Sequence, residues 1–233
     1  MYKKRKYLYA LFAFIIAALI CIPQALQMRT QAAAKKPGTV KLSSVKVVDY
    51  NKINIKWKKT SGATNYIVYY KKAGSGKWIK VKTLDNKKSS YTHTSSSKYP
   101  IVVGKKYQYT VKAYNKKTRK SGRYNTKGLT VTASLKMVTG IEAKIEGTTV
   151  KLTWNKVSGA DKYAIYSKIK ADDKWSKIIT VKDTSSFVDV NPCIDCTNYY
   201  SVRGYSSSTK AYGVMNKTGV SIYVKDSDEV RPT

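Results

Sequence analysis

From Val40 onward the chain is a succession of short runs in which apolar and polar residues alternate one by one. In "INIKW", Ile53, Ile55 and Trp57 fall on one side, with Asn54 and Lys56 on the other. "VKLTW" repeats the pattern with Val150, Leu152 and Trp154. In "YQYTVKA", Tyr107, Tyr109, Val111 and Ala113 alternate with Gln108, Thr110 and Lys112. A period of two is the signature of a strand with one buried and one wet face. Turn signals separate the runs: "SGA" at Ser61 and Ser158, "AGSG" at Ala73, "ADD" at Ala171 and "NP" at Asn191. No segment beyond Ala34 has helical periodicity, so the pattern predicts an all-β protein.

The runs also come twice. "SGATNYIVYYKK" at Ser61–Lys72 returns as "SGADKYAIYSKI" at Ser158–Ile169, and the pairs Trp57/Trp154 and Trp78/Trp175 keep the same offset of 97 residues. "SYTHT" at Ser90 answers "SFVDV" at Ser186, and "YTVKAY" at Tyr109 answers "YSVRGY" at Tyr200, where the offset has fallen to 91. Residues lost between matched strands are losses from loops, which tolerate them. Each copy holds about seven strands in roughly 90–100 residues, the size of an immunoglobulin-like sandwich. The predicted organisation is residues 35–133 and 134–225, followed by a charged tail, 226–233.

A Trp in the second strand, "SGAxxYxVY", a Trp opening the next strand and "GKKYQYTVKAY" near the end resemble the fibronectin type III fold in the form common in exported bacterial proteins. The resemblance covers Val40–Thr132 and Val138–Val224. It implies that Trp57 and Trp154 are core residues and that Tyr107 ties a corner through its hydroxyl. Asn198 stands where the second copy would have that Tyr, so its corner must be held differently. The fold class expected is therefore two tandem fibronectin type III β-sandwiches.

The first 34 residues read as an address. "MYKKRK" is a positive start, Leu8–Ile22 is an apolar run broken only by Tyr9, and Pro23 ends it before "AAA" at Ala32–Ala34. At about 1.5 Å per residue this run is short for a hydrocarbon core of roughly 30 Å. It is read as a cleaved secretory signal, with an uncleaved anchor as the alternative. Ile20 before Cys21 lacks the small size that a lipidated cysteine would need. A secreted protein able to associate with the cell surface is expected, with no membrane span after cleavage.

Charge separates the copies. The chain carries 45 Lys and Arg against 13 Asp and Glu, a formal charge of +32. Of these, Lys35–Ala133 holds 25 basic residues against 2 acids, whereas Ser134–Thr233 holds 15 against 11. The excess points to an anionic partner or to solubility. The hairpin "NKKTRKSGR" at Asn115–Arg123 has an almost uncharged counterpart, "SSSTKAYG". Lys116, Lys117, Arg119, Lys120 and Arg123 are therefore the leading anion-binding candidates, with Lys105 and Lys106 as secondary ones. A second group is an aromatic and basic sheet face: Trp78, Lys80 and Lys82 on one side of their strand, opposite Ile79 and Val81, with Lys112 and Tyr69 joining them. Tyr166, Trp175, Lys177 and Arg203 repeat that group in the nearly neutral copy, so cross-strand packing also explains it.

Catalytic chemistry has few candidates. His93, the single histidine, lies in "YTHTSSS" and reads as a solvated strand end, since neighbours on a strand face opposite ways and build no triad. The first copy offers only Asp49 and Asp85 as acids. Cys193 and Cys196 in "NPCIDC" supply at most two zinc ligands and read as a local disulfide formed after export, with free thiols as the alternative. That closure is a candidate clamp for the corner that lacks its Tyr. Asp226, Asp228 and Glu229 in the tail read as solvated. No catalytic residue, metal site or cofactor is expected. The partner expected is an anionic polysaccharide or cell-wall polymer, without specific nucleic-acid recognition. The alternative is a protein partner received at exposed edge strands, with charge serving solubility.

Overall fold

A computed structural model describes residues 36–226, all of whose regular elements are strands. The segment read as a signal, with Cys21, and Asp228 and Glu229 of the tail, lie outside the described residues. In the first copy β1 (Leu42–Asp49), β2 (Lys52–Trp57) and β5 (Ser90–Thr94) form one antiparallel sheet in the order β1-β2-β5. The facing sheet runs β4 (Ile79–Asp85), β3 (Asn65–Lys72), β6 (Lys106–Asn115), and β6 then pairs with both β7 (Lys120–Ser121) and β8 (Leu129–Thr132). The seventh strand is thus one strand broken in two.

The second copy repeats the plan. Its sheets are β13 (Ser186–Asp189), β10 (Thr149–Thr153), β9 (Glu142–Glu146), and β12 (Ser176–Lys182), β11 (Lys162–Lys168), β14 (Cys196–Ser206), with β15 (Ala211–Tyr212) and β16 (Val220–Val224) both on β14. Three strands facing four, twice over, is the tandem fibronectin type III arrangement expected from the sequence.

The alternating residues meet between the sheets. Ile53, Ile55, Val68, Tyr109, Val111 and Ala113 are fully buried, and Trp57 nearly so. Val150, Leu152, Ile165, Tyr200 and Val202 fill the second core beside Trp154. Each side chain of this size contributes about 1.5–3 kcal/mol when buried, which makes period-two patterning decisive for register. Tyr66 and Tyr163 pack on the two tryptophans at 5.5 and 5.4 Å between ring centres. Their hydroxyls accept backbone N–H bonds from Thr60 at 2.7 Å and from Val157 at 2.8 Å.

Two features depart from the sequence reading. A bulge between Val68 and Tyr69 breaks the alternation of β4: Lys80 pairs with Tyr69, but Lys82 pairs with Val68, on the core side of the sheet edge. Lys80 and Lys82 therefore do not share a face. His93 is not solvated either. It is 1 % exposed, because its register partner is the core residue Ile53. Its Nδ1 bonds the Tyr109 hydroxyl at 2.8 Å and its Nε2 lies 3.2 Å from the Tyr99 carbonyl. Burial lowers its pKa, opposed by the Tyr99 carbonyl bond.

The corners follow the expectation for Tyr107 and show what replaces it. The Tyr107 hydroxyl accepts from Val102 N at 2.9 Å, five residues upstream. At the matching place Asn198 Oδ1 accepts from Cys193 N at 2.9 Å while its Nδ2 donates to Cys193 O at 2.8 Å, again five residues upstream. One carboxamide thus satisfies both backbone groups of Cys193. The structure joins Cys193 to Cys196, closing the same loop.

Candidate functional site

The leading candidates sit on a hairpin that the fold holds still. Between β6 and β7 the chain turns through Lys116–Arg119, with Arg119 in the left-handed region at φ 54°. Asn115 is buried at the base. Its Nδ2 donates to Gly62 O at 2.7 Å, and its Oδ1 accepts from Thr118 N at 3.2 Å. Lys116 N donates to Thr64 Oγ1 at 2.9 Å, and Thr64 N donates to Tyr114 O at 2.9 Å. Gly122 lies so close to the carbonyls of Pro37 and Gly38 that any side chain there would strike them. The "SGAT" turn and the segment entering the sandwich therefore brace the hairpin from two sides.

All five basic side chains, Lys116, Lys117, Arg119, Lys120 and Arg123, are exposed on this braced backbone. Lys58 and Lys59 on the connection leading to the "SGAT" turn, and Lys36 on the entering segment, are exposed beside it. Sequence reasoning missed these three, because lysines far apart in the chain show their proximity only when Gly38 and Thr60 come into contact. Among the described residues none of the eight forms an ion pair; both ion pairs lie in the second sandwich. Asp85 is two strands across from Tyr114, roughly 10 Å, and its carboxylate is already engaged by Lys87 N at 2.8 Å. Unneutralised like charges on a rigid support make a local positive potential that an anion relieves.

The other candidates lie elsewhere. Lys105 and Lys106 are at the opposite end of β6, whose ten residues span roughly 30 Å. They cannot share a compact site with the hairpin. On the outer sheet face Tyr69 meets Tyr124 edge-on at 5.1 Å, and Lys112 Nζ is 4.7 Å from the Tyr124 ring centre. Burial, with the hydrogen bond its hydroxyl makes to Tyr124, raises the pKa of Tyr69. Trp78 lies against Gly128 with Lys71 Nζ 4.9 Å from its ring centre. The second sandwich duplicates this: Trp175 lies against Gly219, and Lys168 Nζ is 4.9 Å away. Trp78 is thus a packing device common to both copies, and Tyr69 and Lys112 are both engaged with Tyr124.

The second sandwich's equivalent end is occupied. Leu135 of the connection is fully buried and packs against Gly204 and Gly213, and the Tyr50 ring crowds Gly159 of the second "SGA" turn. A side chain at Gly104 would meet Ala211 at 3.0 Å. The hairpin "SSSTKAYG" therefore faces the connection and the first sandwich, where charge would be costly to bury. Among the described residues nothing comparable covers the basic end of the first sandwich.

No group of three or more His, Cys, Asp or Glu side chains suited to a metal occurs among the described residues. No helix among them is long and apolar enough to cross a membrane. No protein-family model matches the chain, and no curated protein matches its sequence. Among solved structures the chain is similar to a two-domain fibronectin type III segment of chicken tenascin, at 12% identity and TM-score 0.49, covering 82% of this chain and 100% of that one. It is also similar to the FN1–FN3 domains of chicken CNTN1, at 20% identity and TM-score 0.36, covering 82% and 67%. Likeness at this level carries no function across, and the fold rests on the strand order above.

Proposed function

We propose that this chain is a secreted, non-catalytic binding module whose basic first sandwich, residues 35–133, holds it at an anionic polysaccharide or cell-wall polymer. One observation carries the reading: a braced hairpin presents Lys116, Lys117, Arg119, Lys120 and Arg123 without an acidic partner, next to Lys58 and Lys59. Exposed cations on a fixed backbone attract a polyanion mainly by charge, with little sugar specificity. Secretion rests on the signal-like start of the sequence. Export would supply the oxidising conditions for Cys193–Cys196, and a mass shift on reduction of the secreted protein tests that bond.

The test is binding of the full chain to polyphosphate and to a sulfated polysaccharide across a salt series, beside a variant with the five hairpin residues changed to Ser and Gln. Five phosphate contacts release counterions such that raising salt from about 0.1 to 0.4 M weakens binding roughly a hundredfold or more. The variant loses most of that salt dependence while staying folded. Unchanged binding by the variant refutes the assignment.

A further inference from the structure

The two sandwiches differ at a second place, which charge counting does not reveal. In the first, the end of the core beside β4 is filled with rings: Tyr70 stands 6.1 Å from Tyr107 and 4.9 Å from His93, with Tyr99 packed on both Tyr70 and His93. In the second, Ser167, Asn198 and Asp189 occupy the places of Tyr70, Tyr107 and His93. The connection Val190–Asp195 is too short to supply a counterpart of Tyr99. Where the first sandwich keeps a cleft of about 300 Å³, the second opens to about 480 Å³.

One wall of that larger cleft is apolar, and Ser167, Asp189, Asn191, Cys193 and Asn198 line the rest. Ile169, Ile178, Ile179 and Phe187 form the apolar wall, and the three isoleucines are 54%, 43% and 41% exposed. Asp189, whose carboxylate accepts from the Tyr200 hydroxyl at 2.6 Å, is its only charged lining residue among those described. The smaller cleft is walled mostly by Tyr70, Ile79, Pro100, Val102 and Tyr107, and its charged residues are cationic, Lys72 and Lys105.

The cleft opens beside a free edge. β12 is the last strand of its sheet, and nothing among the described residues pairs with its outer side. Its counterpart β4 carries Lys82 mid-strand, where an inward charge blocks edge pairing. In β12 that position is Ile179, which pairs with the core residue Ile165 and so projects over the cleft. An edge with free backbone donors and acceptors, next to a hollow of aromatic size with an acid on its lining, matches an extended peptide.

We propose that this cleft and the free edge of β12 form one docking site for an extended basic peptide. The peptide adds to β12 as a strand, seats one large apolar side chain among Ile169, Ile178, Ile179 and Phe187, and turns a Lys or Arg toward Asp189.

The experiment uses the isotope-labelled full chain and the capped peptide Lys-Trp-Ile-Lys-Val-Lys-Thr as probe. Amide shifts locate binding, and hydrogen exchange reads new protection on the outer edge of β12. The expected result is protection of β12 and shifts in the cleft residues. Affinity falls more than tenfold in Ile179→Lys and in Ser167→Tyr, each of which installs the first sandwich's residue and keeps the fold, and also for a probe with Glu in place of every Lys. Three results overturn the proposal: no shift at millimolar probe, shifts away from β12, or a probe-free chain whose β12 is already covered by a second molecule.

Discussion

Replacing Asn198 by Ala removes the corner clamp of the second sandwich without touching its hydrophobic core. The carboxamide, itself buried, closes two bonds on Cys193, one at 2.9 Å and one at 2.8 Å. A buried backbone group left without a partner costs about 1–3 kcal/mol, so losing both costs about 2–5 kcal/mol. Tyr107→Phe in the first sandwich keeps the ring and frees only the Val102 N–H, for about 1–2 kcal/mol. With a urea m-value of about 1–2 kcal/mol/M for a domain of this size, Asn198→Ala moves the midpoint of the second sandwich down by more than roughly 1 M. The assay is urea unfolding followed by resolved core resonances of each sandwich, read separately, in oxidised protein. A midpoint for Asn198→Ala within error of the wild type refutes the reasoning, because the Cys193–Cys196 link would then hold the corner alone.

Two further outcomes follow from residues at the heart of the first sandwich. His93 is kept neutral by burial, so its folded pKa lies below the ordinary value of 6.5. The unfolded chain then binds the extra proton, and stability falls as pH drops from about 6.5, at up to about 1.4 kcal/mol per pH unit, until the folded pKa is passed. Unfolding midpoints of wild type and His93→Gln across pH 4–8 check this: the slope below 6.5 is present in the first and absent in the second. Gly128→Ala places a methyl against the Tyr109 carbonyl and the Trp78 ring at a φ of 57°. It costs about 2–4 kcal/mol, measured by thermal unfolding, and an unchanged midpoint would show that β8 can shift freely.

What the sequence made legible, and what it hid, follows from the range of the interactions. Period-two alternation marked Ile53, Ile55 and Trp57 as core because each strand carries its own burial pattern. The repeat did the same for Trp154 and Tyr200. The basic hairpin was visible because one copy is charged where the other is not. Its bracing was not, since Asn115 reaches Gly62 across 53 residues. The bulge that turns Lys82 to the inner side leaves no local mark, so alternation read straight through it. His93 was misread because its Ser and Thr neighbours suggested a wet strand end, while its register opposite Ile53 comes from another strand. Asn198 showed as a missing Tyr, yet that an amide can serve both polar groups of one residue needed coordinates. The open cleft by β12 arises from four ring positions lost together, which no single strand pattern displays.

The central claim is that the position of the charge, not its total, creates the anion site. Two variants of equal net charge separate these. One changes Lys116, Lys117, Arg119, Lys120 and Arg123, and the other changes Lys52, Lys80, Lys82, Lys87 and Lys88, all to Ser or Gln. Affinity of the full-length variants for polyphosphate is measured near 0.1 M salt. The account predicts a loss of tenfold or more for the hairpin variant and less than threefold for the matched one. Equal losses would contradict it and make the charge of the first sandwich a general property of its surface.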